Sequence, residues 1–192
     1  ISRFQKQGCN SFWLSVNYKA DFIRSYIDQL ENRQFEVNYV LESKPLGTAG
    51  SLSLLKEKIT ETFFVSNCDI LVDTDYGELV DYHREQNNEV TLVGAFKEIR
   101  IPYGTVESGV GGRLTAFREK PNLNYLINTG LYLLEPHLLA EIPEDTEFPI
   151  TDLIDNIRRR GGRVGVFPVS QKSWLDIGEW HEYERTIKLV KS

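Results

Sequence analysis

From Ser11 to Phe96 short apolar, β-prone runs alternate with stretches of helical period, and this alternation limits the fold more than any other feature. Phe12-Trp13-Leu14-Ser15-Val16 predicts a strand. Ala20 to Leu30 predicts an amphipathic helix with Ile23, Ile27 and Leu30 on one face. Glu36 to Leu41 reads as a second strand, followed by the Gly-containing segment Pro45 to Ser51 and a helix through about Lys58. Phe63 to Ser66 is a third strand, Tyr76 to Asn87 a helix and Val90 to Phe96 a fourth strand. A β-α-β-α-β-α-β order specifies a largely parallel, three-layer α/β sheet. The second half is less regular. Tyr103 to Val106 and Leu114 to Arg118 predict a hairpin around Ser108-Gly109-Val110-Gly111-Gly112. Leu131 to Leu134 and Val164 to Val169 predict strands, and Thr151 to Arg160 and Glu179 to Val190 predict helices.

The 192 residues fit one domain, 1–192, large enough to bury a core, and 41% hydrophobic with 26% charged residues is the composition of a globular protein and argues against disorder. Twenty-two basic against 28 acidic residues leave a net charge of −6, which argues against general nucleic-acid binding. No apolar run reaches membrane-spanning length and no signal peptide is visible. Cys9 and Cys68 form no zinc or redox spacing, so a reduced, cytoplasmic protein is expected. The sequence has no Met, and Ile1-Ser2-Arg3-Phe4 reads as the last turns of a helix ending at Gly8. The expectation is a chain that starts partway into its domain.

Several short motifs carry candidate chemistry. Ser66-Asn67-Cys68-Asp69 and Trp174-Leu175-Asp176-Ile177-Gly178 each put an aspartate near the end of a β-prone run. Strand ends are where open α/β sheets bind ligands. Two such carboxylates could share one hard cation against a phosphate, or each could cap a helix or turn. Lys44-Pro45-Leu46-Gly47-Thr48-Ala49-Gly50-Ser51 joins a strand to a helix. It offers backbone amides to a flat ring or an anion, or is simply a tight turn with a cap. It matches neither a P-loop nor a dinucleotide fingerprint. Glu119-Lys120-Pro121 pairs a hydroxyl acceptor with a phosphate-neutralising cation, or is an exposed pair before a turn. Asn128-Thr129-Gly130 and Pro102-Tyr103-Gly104-Thr105 offer sugar contacts or plain turns. His83, His137 and His181 occupy helical positions with polar neighbours, which predicts surface placement. Arg158-Arg159-Arg160 is explained by the helix dipole and solvation.

Read in order, Leu46-Gly47-Thr48-Ala49-Gly50, Asn67-Cys68-Asp69, Pro102-Tyr103-Gly104, Glu119-Lys120-Pro121, Asn128-Thr129-Gly130 and Trp174-Leu175-Asp176-Ile177-Gly178 resemble the sugar-phosphate nucleotidyltransferases. The resemblance covers essentially the whole chain. Its wording is similar to the branch often fused to tandem CBS domains, commonly labelled mannose-1-phosphate or glucosamine-1-phosphate guanylyltransferases. It implies a Rossmann-like, mostly parallel mixed sheet and transfer of a nucleotidyl group, with GTP the favoured donor, to a sugar 1-phosphate. Asp69 and Asp176 would bind Mg²⁺. The backbone at Leu46, Gly47 and Thr48 would contact the base, with Glu42 near its edge. Gly104, Glu119, Asn128 and Thr129 would contact the sugar, and Lys120 would hold its phosphate. Asp69, Lys120 and Asp176 are thus the expected catalytic set. Nucleic acid and membrane are not expected partners; a homo-oligomer and CBS domains in the parent protein are considered.

Two departures accompany the resemblance. Cys68 stands where the family usually has Gly before the first metal aspartate. The family's opening strand, its Gly-rich triphosphate loop with an essential Arg and the Pro-Lys segment that follows are not found in the chain. About forty residues would supply them, and the expectation is that the chain alone is inactive. Two other functions compete: a non-catalytic sugar-nucleotide-binding domain, and a metal-dependent glycosyltransferase using Asp73-Thr74-Asp75.

Overall fold

The computed structural model describes residues 1–30 and 34–178. The predicted closing helix Glu179 to Val190, with His181, lies outside them. A first helix, α1 (Ser2–Lys6), ends ahead of Gly8, whose φ of +93° is the left-handed position that favours glycine at a helix end. β1 (Ser11–Val16), α2 (Ala20–Asp28) and β2 (Glu36–Leu41) follow as a parallel βαβ unit, in register from Ser11↔Glu36 to Val16↔Leu41. α2 is two residues shorter than its periodicity predicts. Only Ile27 of its three apolar positions is buried, while Ile23 and Leu30 stay partly exposed.

The helix expected after Ser51 starts earlier. α3 (Gly47–Gly50) continues into a 3₁₀ turn over Ser51–Leu55, so the glycine-containing segment is itself mostly helix. Gly47 has φ +73°, and a Cβ at Gly50 would sit 2.6 Å from the Thr146 carbonyl oxygen. Neither position accepts a larger residue without movement. β3 (Phe63–Ser66) matches its prediction; β4 (Ile70–Val72) was not anticipated. α4 (Tyr76–Glu85) begins at Asp75, whose carboxylate accepts from the Gly77 and Glu78 amides.

β5 (Val90–Arg100), β6 (Thr105–Ser108), β7 (Leu114–Arg118) and β8 (Asn122–Leu134) come next. A 3₁₀ turn (Pro136–Glu141), α5 (Ile150–Arg159), β9 (Val164–Val169) and β10 (Trp174–Asp176) complete the described chain. Among the described residues the strands pair in four hydrogen-bonded sets: β1-β2, β3-β8-β5-β9, β10-β4 and β6-β7. β1-β2 is parallel, while β4-β10 and β6-β7 are antiparallel. The late elements return against the earlier ones, which makes the fold a mixed α/β architecture.

The chain divides into two compact units. The first comprises Ile1–Asn67, Asp75–Leu92 and Tyr132–Gly165; the second comprises Cys68–Thr74, Val93–Leu131 and the chain from Val166. β5, β8 and β9 each contribute to both. The core of the first unit joins Val40, Ala49, Leu52 and Val65 to Leu134, Leu138, Ile142, Leu153 and Ile157, all at most 8% exposed. Burial of this many aliphatic side chains, at roughly 1.5–3 kcal/mol each, is what holds α3, α5 and the Pro136–Glu141 turn to β2 and β3.

Two surface assignments are corrected. His83 is buried: it lies on the inward stripe of α4 with Tyr76 and Leu79, at helical spacing. Its Nδ1 meets Thr91 Oγ1 at 2.8 Å and its Nε2 meets Glu135 Oε1 at 3.1 Å. The Asn88 amide donates to the same Thr91 oxygen, and the Thr62 hydroxyl donates to the same Glu135 oxygen. The polar atoms are satisfied, so burial is tolerated. Arg160 is likewise more than a solvated charge at a helix end, because its guanidinium bridges Glu89 and Glu141.

Candidate functional site

The two motif aspartates come together through strand pairing. β4 and β10 are short, and their register sets Ile70 against Asp176, Leu71 against Leu175 and Val72 against Trp174. The ladder extends at both ends: the Ile177 amide donates to the Asp69 carbonyl at 2.8 Å, and the Asp73 amide to the Ser173 carbonyl at 2.7 Å. Ser170 caps the turn before β10 by accepting from the Ser173 amide. The Trp174 indole N–H donates to the Thr129 carbonyl at 3.2 Å, which ties β10 to β8. Asp69 is therefore one residue beyond the Ile70–Asp176 pair.

Gly178 shows how close the carboxylates are. A Cβ at this glycine would lie 3.0 Å from Asp69 Oδ2 and 3.1 Å from Asp176 Oδ1. The two oxygens thus face one small space, no more than about 6 Å apart. Asp176 Oδ1 also accepts from the Gly178 amide at 2.9 Å. Two carboxylates facing one small space supply the donor type that a hard divalent cation takes, with waters and phosphate oxygens as its other ligands. Sequence reasoning gave Gly178 no role of its own, although its motif contains it; the signal was a glycine two residues after a candidate ligand.

The second unit also carries the residues expected to meet a sugar. A Cβ on Gly104 would meet the Phe117 ring at 2.9 Å and Glu119 Oε2 at 3.0 Å, so Gly104 and Glu119 are neighbours. Lys120 Nζ is 3.9 Å from Glu119 Oε1, with both side chains more than half exposed. Lys120 has φ +45°, a left-handed backbone uncommon for a side-chain-bearing residue, immediately before Pro121. The Pro121 carbonyl accepts from the Ile101 amide, which pins the turn.

Asn128-Thr129-Gly130 does not precede a strand, as expected, but lies inside β8. Asn128 Oδ1 accepts from the Gly130 amide, and Gly130 has φ +84°, so the strand carries a local turn there. Thr129 is 2% exposed; its hydroxyl donates to the Val93 carbonyl at 2.9 Å and accepts from the Leu131 amide. That side chain is committed to the fold.

In the first unit, Glu42 Oε2 accepts from the Leu46 amide at 3.0 Å and Oε1 from the Ser15 hydroxyl. Glu42 therefore anchors the loop that carries Leu46, Gly47 and Thr48. The Leu46 side chain is 3% exposed, which leaves its backbone as the part able to face a ligand. The Ala49 and Gly50 amides donate to the Phe148 carbonyl. A cavity of about 340 Å³ in this unit is lined by Leu41, Ser43, Leu46, Ser53, Leu54, Glu144 and Asp145; of the four nucleotide-side residues only Leu46 reaches it.

Two other carboxylate groups resolve as structural. Asp75 of Asp73-Thr74-Asp75 spends an oxygen on the α4 cap, which weakens a metal-binding Asp-x-Asp reading. Glu89, His137 and Glu141 bring three possible metal ligand atoms within 4.8 Å of one another. Arg160 supplies the cation there, and it holds the Glu89 carboxyl down at about 2.

Comparison with known proteins decides the family. The family model described as Nucleotidyl transferase matches residues 1–192. The chain belongs to that family. It is 31% identical over 186 residues to mannose-1-phosphate guanylyltransferase catalytic subunit beta of Xenopus tropicalis, covering 93% of this chain and 51% of that protein. It is 32% identical over 186 residues to mannose-1-phosphate guanyltransferase beta-B of Xenopus laevis, with the same coverage. This nucleotidyltransferase chain spans about half the length of the curated relatives it matches. The crystal structure of HddC from Yersinia pseudotuberculosis complexed with GMP-PN matches with a TM-score of 0.72 at 23% identity, covering 96% of this chain and 80% of that one. The likeness confirms the Rossmann-like mixed α/β fold. No helix among the described residues is long and apolar enough to cross a membrane.

Proposed function

We propose that the chain is the catalytic domain of a sugar-1-phosphate nucleotidyltransferase. A phosphate oxygen of the sugar 1-phosphate attacks the α-phosphorus of a nucleoside triphosphate. The bond from the α-phosphorus to its bridging oxygen breaks, its electron pair leaves with pyrophosphate, and an NDP-sugar remains. The observation that carries this reading is the convergence of Asp69 and Asp176 on Gly178, in a chain of the nucleotidyl transferase family. Mg²⁺ held by these two carboxylates would neutralise charge on the phosphates. The remaining work is alignment. Glu42 fixes the loop whose Leu46, Gly47 and Thr48 backbone meets the base. Glu119, with the Gly104 and Asn128 region, orients the sugar, and Lys120 holds its phosphate. Thr129 supports this strand from inside.

GTP is the proposed donor and mannose 1-phosphate the proposed acceptor, because relatives near 30% identity bear the name mannose-1-phosphate guanylyltransferase. A structural neighbour also holds GMP-PN. We propose further that turnover needs additional chain. β1 and β3 each keep one edge without a strand partner among the described residues, and the sequence contains no Gly-rich triphosphate loop. The same observations favour the second reading, a sugar-nucleotide-binding domain without turnover. Pyrophosphate release over a matrix of nucleoside triphosphates and sugar 1-phosphates, from this chain and from a protein of the relatives' length, tests both. No turnover by the longer protein with any pair removes the enzymatic reading. Equal turnover by both removes the need for additional chain.

A further inference from the structure

Every polar group of Glu42 is hydrogen-bonded, and the end of β1 supplies most of the partners. The Glu42 amide donates to the Val16 carbonyl at 2.9 Å, which extends the β1-β2 ladder by one residue. Its carbonyl accepts from the Asn17 side-chain amide at 2.8 Å, and Oε1 accepts from the Ser15 hydroxyl. The remaining oxygen, Oε2, accepts from the Leu46 amide. A second hold on the same loop comes from Phe148, whose amide donates to the Leu46 carbonyl at 2.8 Å and whose carbonyl accepts from Ala49 and Gly50. That hold is backbone on backbone. The Glu42 hold depends instead on a flexible side chain. Ordering a glutamate costs about as much rotamer freedom as one hydrogen bond returns, so a second bond decides whether the carboxylate keeps one geometry. Ser15 supplies it.

We propose that Ser15 and Asn17 are positioning residues for nucleotide binding: from the end of β1 they fix Glu42, and through it the backbone at Leu46, Gly47 and Thr48. This rests on the proposed function and extends it to two residues outside the motifs. Asn17 holds the Glu42 main chain and Ser15 holds its carboxylate, so together they set where the Leu46 amide lies relative to β1. Without the Ser15 hydroxyl, Oε1 is left to water and the side chain is free to leave the Leu46 amide. The loop then keeps only its Phe148 bonds. Nucleotide binding must afterwards re-order it, and affinity falls by that cost. Asp69, Asp176, Glu119 and Lys120 belong to the second unit, which makes sugar phosphate binding the internal control.

The test compares the full chain with Ser15→Ala, Asn17→Ala and Ser15→Thr, the last of which keeps the hydroxyl. Calorimetry measures GTP and mannose 1-phosphate binding, hydrogen exchange measures protection of the Leu46 amide without ligand, and a melting curve checks the fold. Ser15→Ala is expected to weaken GTP binding about 3- to 10-fold, the worth of one hydrogen bond. It should leave mannose 1-phosphate binding unchanged and speed exchange at Leu46. Asn17→Ala should act in the same direction, and Ser15→Thr should bind as the unmodified chain. Unchanged GTP binding in either alanine variant removes that residue from the role, and in both it overturns the proposal while the proposed function stands. Equal losses for GTP and mannose 1-phosphate overturn it too, as does a Ser15→Thr variant as weak as Ser15→Ala. An unmodified chain that binds mannose 1-phosphate without GTP also overturns it. An unmodified chain that binds neither overturns both.

Discussion

Replacing Gly178 with Ala places one methyl group between Asp69 and Asp176. The backbone permits it, because Gly178 is not among the residues with positive φ. The obstacle is space: the new Cβ would sit 3.0 Å from Asp69 Oδ2 and 3.1 Å from Asp176 Oδ1, against about 3.4 Å for ordinary contact. Each carboxylate must therefore retreat by about 0.3–0.4 Å, and the exposed Asp69 has the freedom to do so. Fold stability should change by no more than about 0.5 kcal/mol.

Metal affinity should not be spared. Mg²⁺ and Mn²⁺ sites hold their ligand distances to about ±0.2 Å, and Mg²⁺ requires nearly octahedral geometry at about 2.0–2.1 Å. A displacement of 0.3 Å or more exceeds that tolerance, and losses of about 10- to 100-fold follow from disturbing such supports. This corresponds to about 1.4–2.8 kcal/mol. Ca²⁺, with longer and more flexible coordination, should lose less. Water-proton relaxation during Mn²⁺ titration, with and without GTP and with Ca²⁺ as competitor, measures both effects. Equal Mn²⁺ affinity in Gly178→Ala and the unmodified chain would refute the shared-cation reasoning, because the methyl group would then occupy space the ion does not use.

Three further outcomes are expected. The Glu89 carboxyl is lowered from 4.5 to about 2, chiefly by its hydrogen bond from Arg160, so its contribution is full above about pH 4.5 and is lost as pH falls toward 2. Discounted for the partly exposed partner, denaturant unfolding across that window should show the unmodified chain losing about 1–2 kcal/mol more than Glu89→Gln; parallel pH profiles would contradict it. Asp75→Ala removes the α4 cap and should lower stability by about 0.5–2 kcal/mol while leaving Mn²⁺ affinity unchanged, whereas a lost ion would restore an Asp-x-Asp site. Thr129→Val strips a buried hydroxyl from the Val93 carbonyl and the Leu131 amide, and should cost about 1–3 kcal/mol in thermal unfolding. Normal stability with weakened sugar-phosphate binding would instead return Thr129 to the ligand.

The elements legible in the sequence are those whose own periodicity exceeds their surroundings. β2 and β3 match their predicted limits because Glu36–Leu41 and Phe63–Ser66 are bounded β-prone runs. β4 and β10, three residues each, carry no period to detect and exist only by pairing with one another. β8 was read from its last four residues because Asn128-Thr129-Gly130 looks like a turn. The Thr129 hydroxyl on the Val93 carbonyl shows tertiary bonding carrying the strand through it. His83 was misassigned for the opposite reason: residue type was weighed above position, and its spacing from Tyr76 and Leu79 already marked the inward stripe of α4.

The candidate site divides along the same line. Asp69, Glu119 and Lys120, which the motifs single out, stay exposed, as expected of side chains left free for a ligand. Glu42 and Thr129 bear the same motif resemblance but spend their oxygens on the Leu46 amide and the Val93 carbonyl. A motif records residues that occur together, and does not separate a group that touches a ligand from one that positions its neighbour. The hydrogen bonds make that separation: a polar atom already bonded inside the fold would have to break that bond before serving a ligand, at about 1–3 kcal/mol. By this criterion the proposed roles of Glu42 and Thr129 are to position their neighbours, and Asp176, whose Oδ1 accepts from the Gly178 amide, would have to share or give up that bond in the proposed cation site.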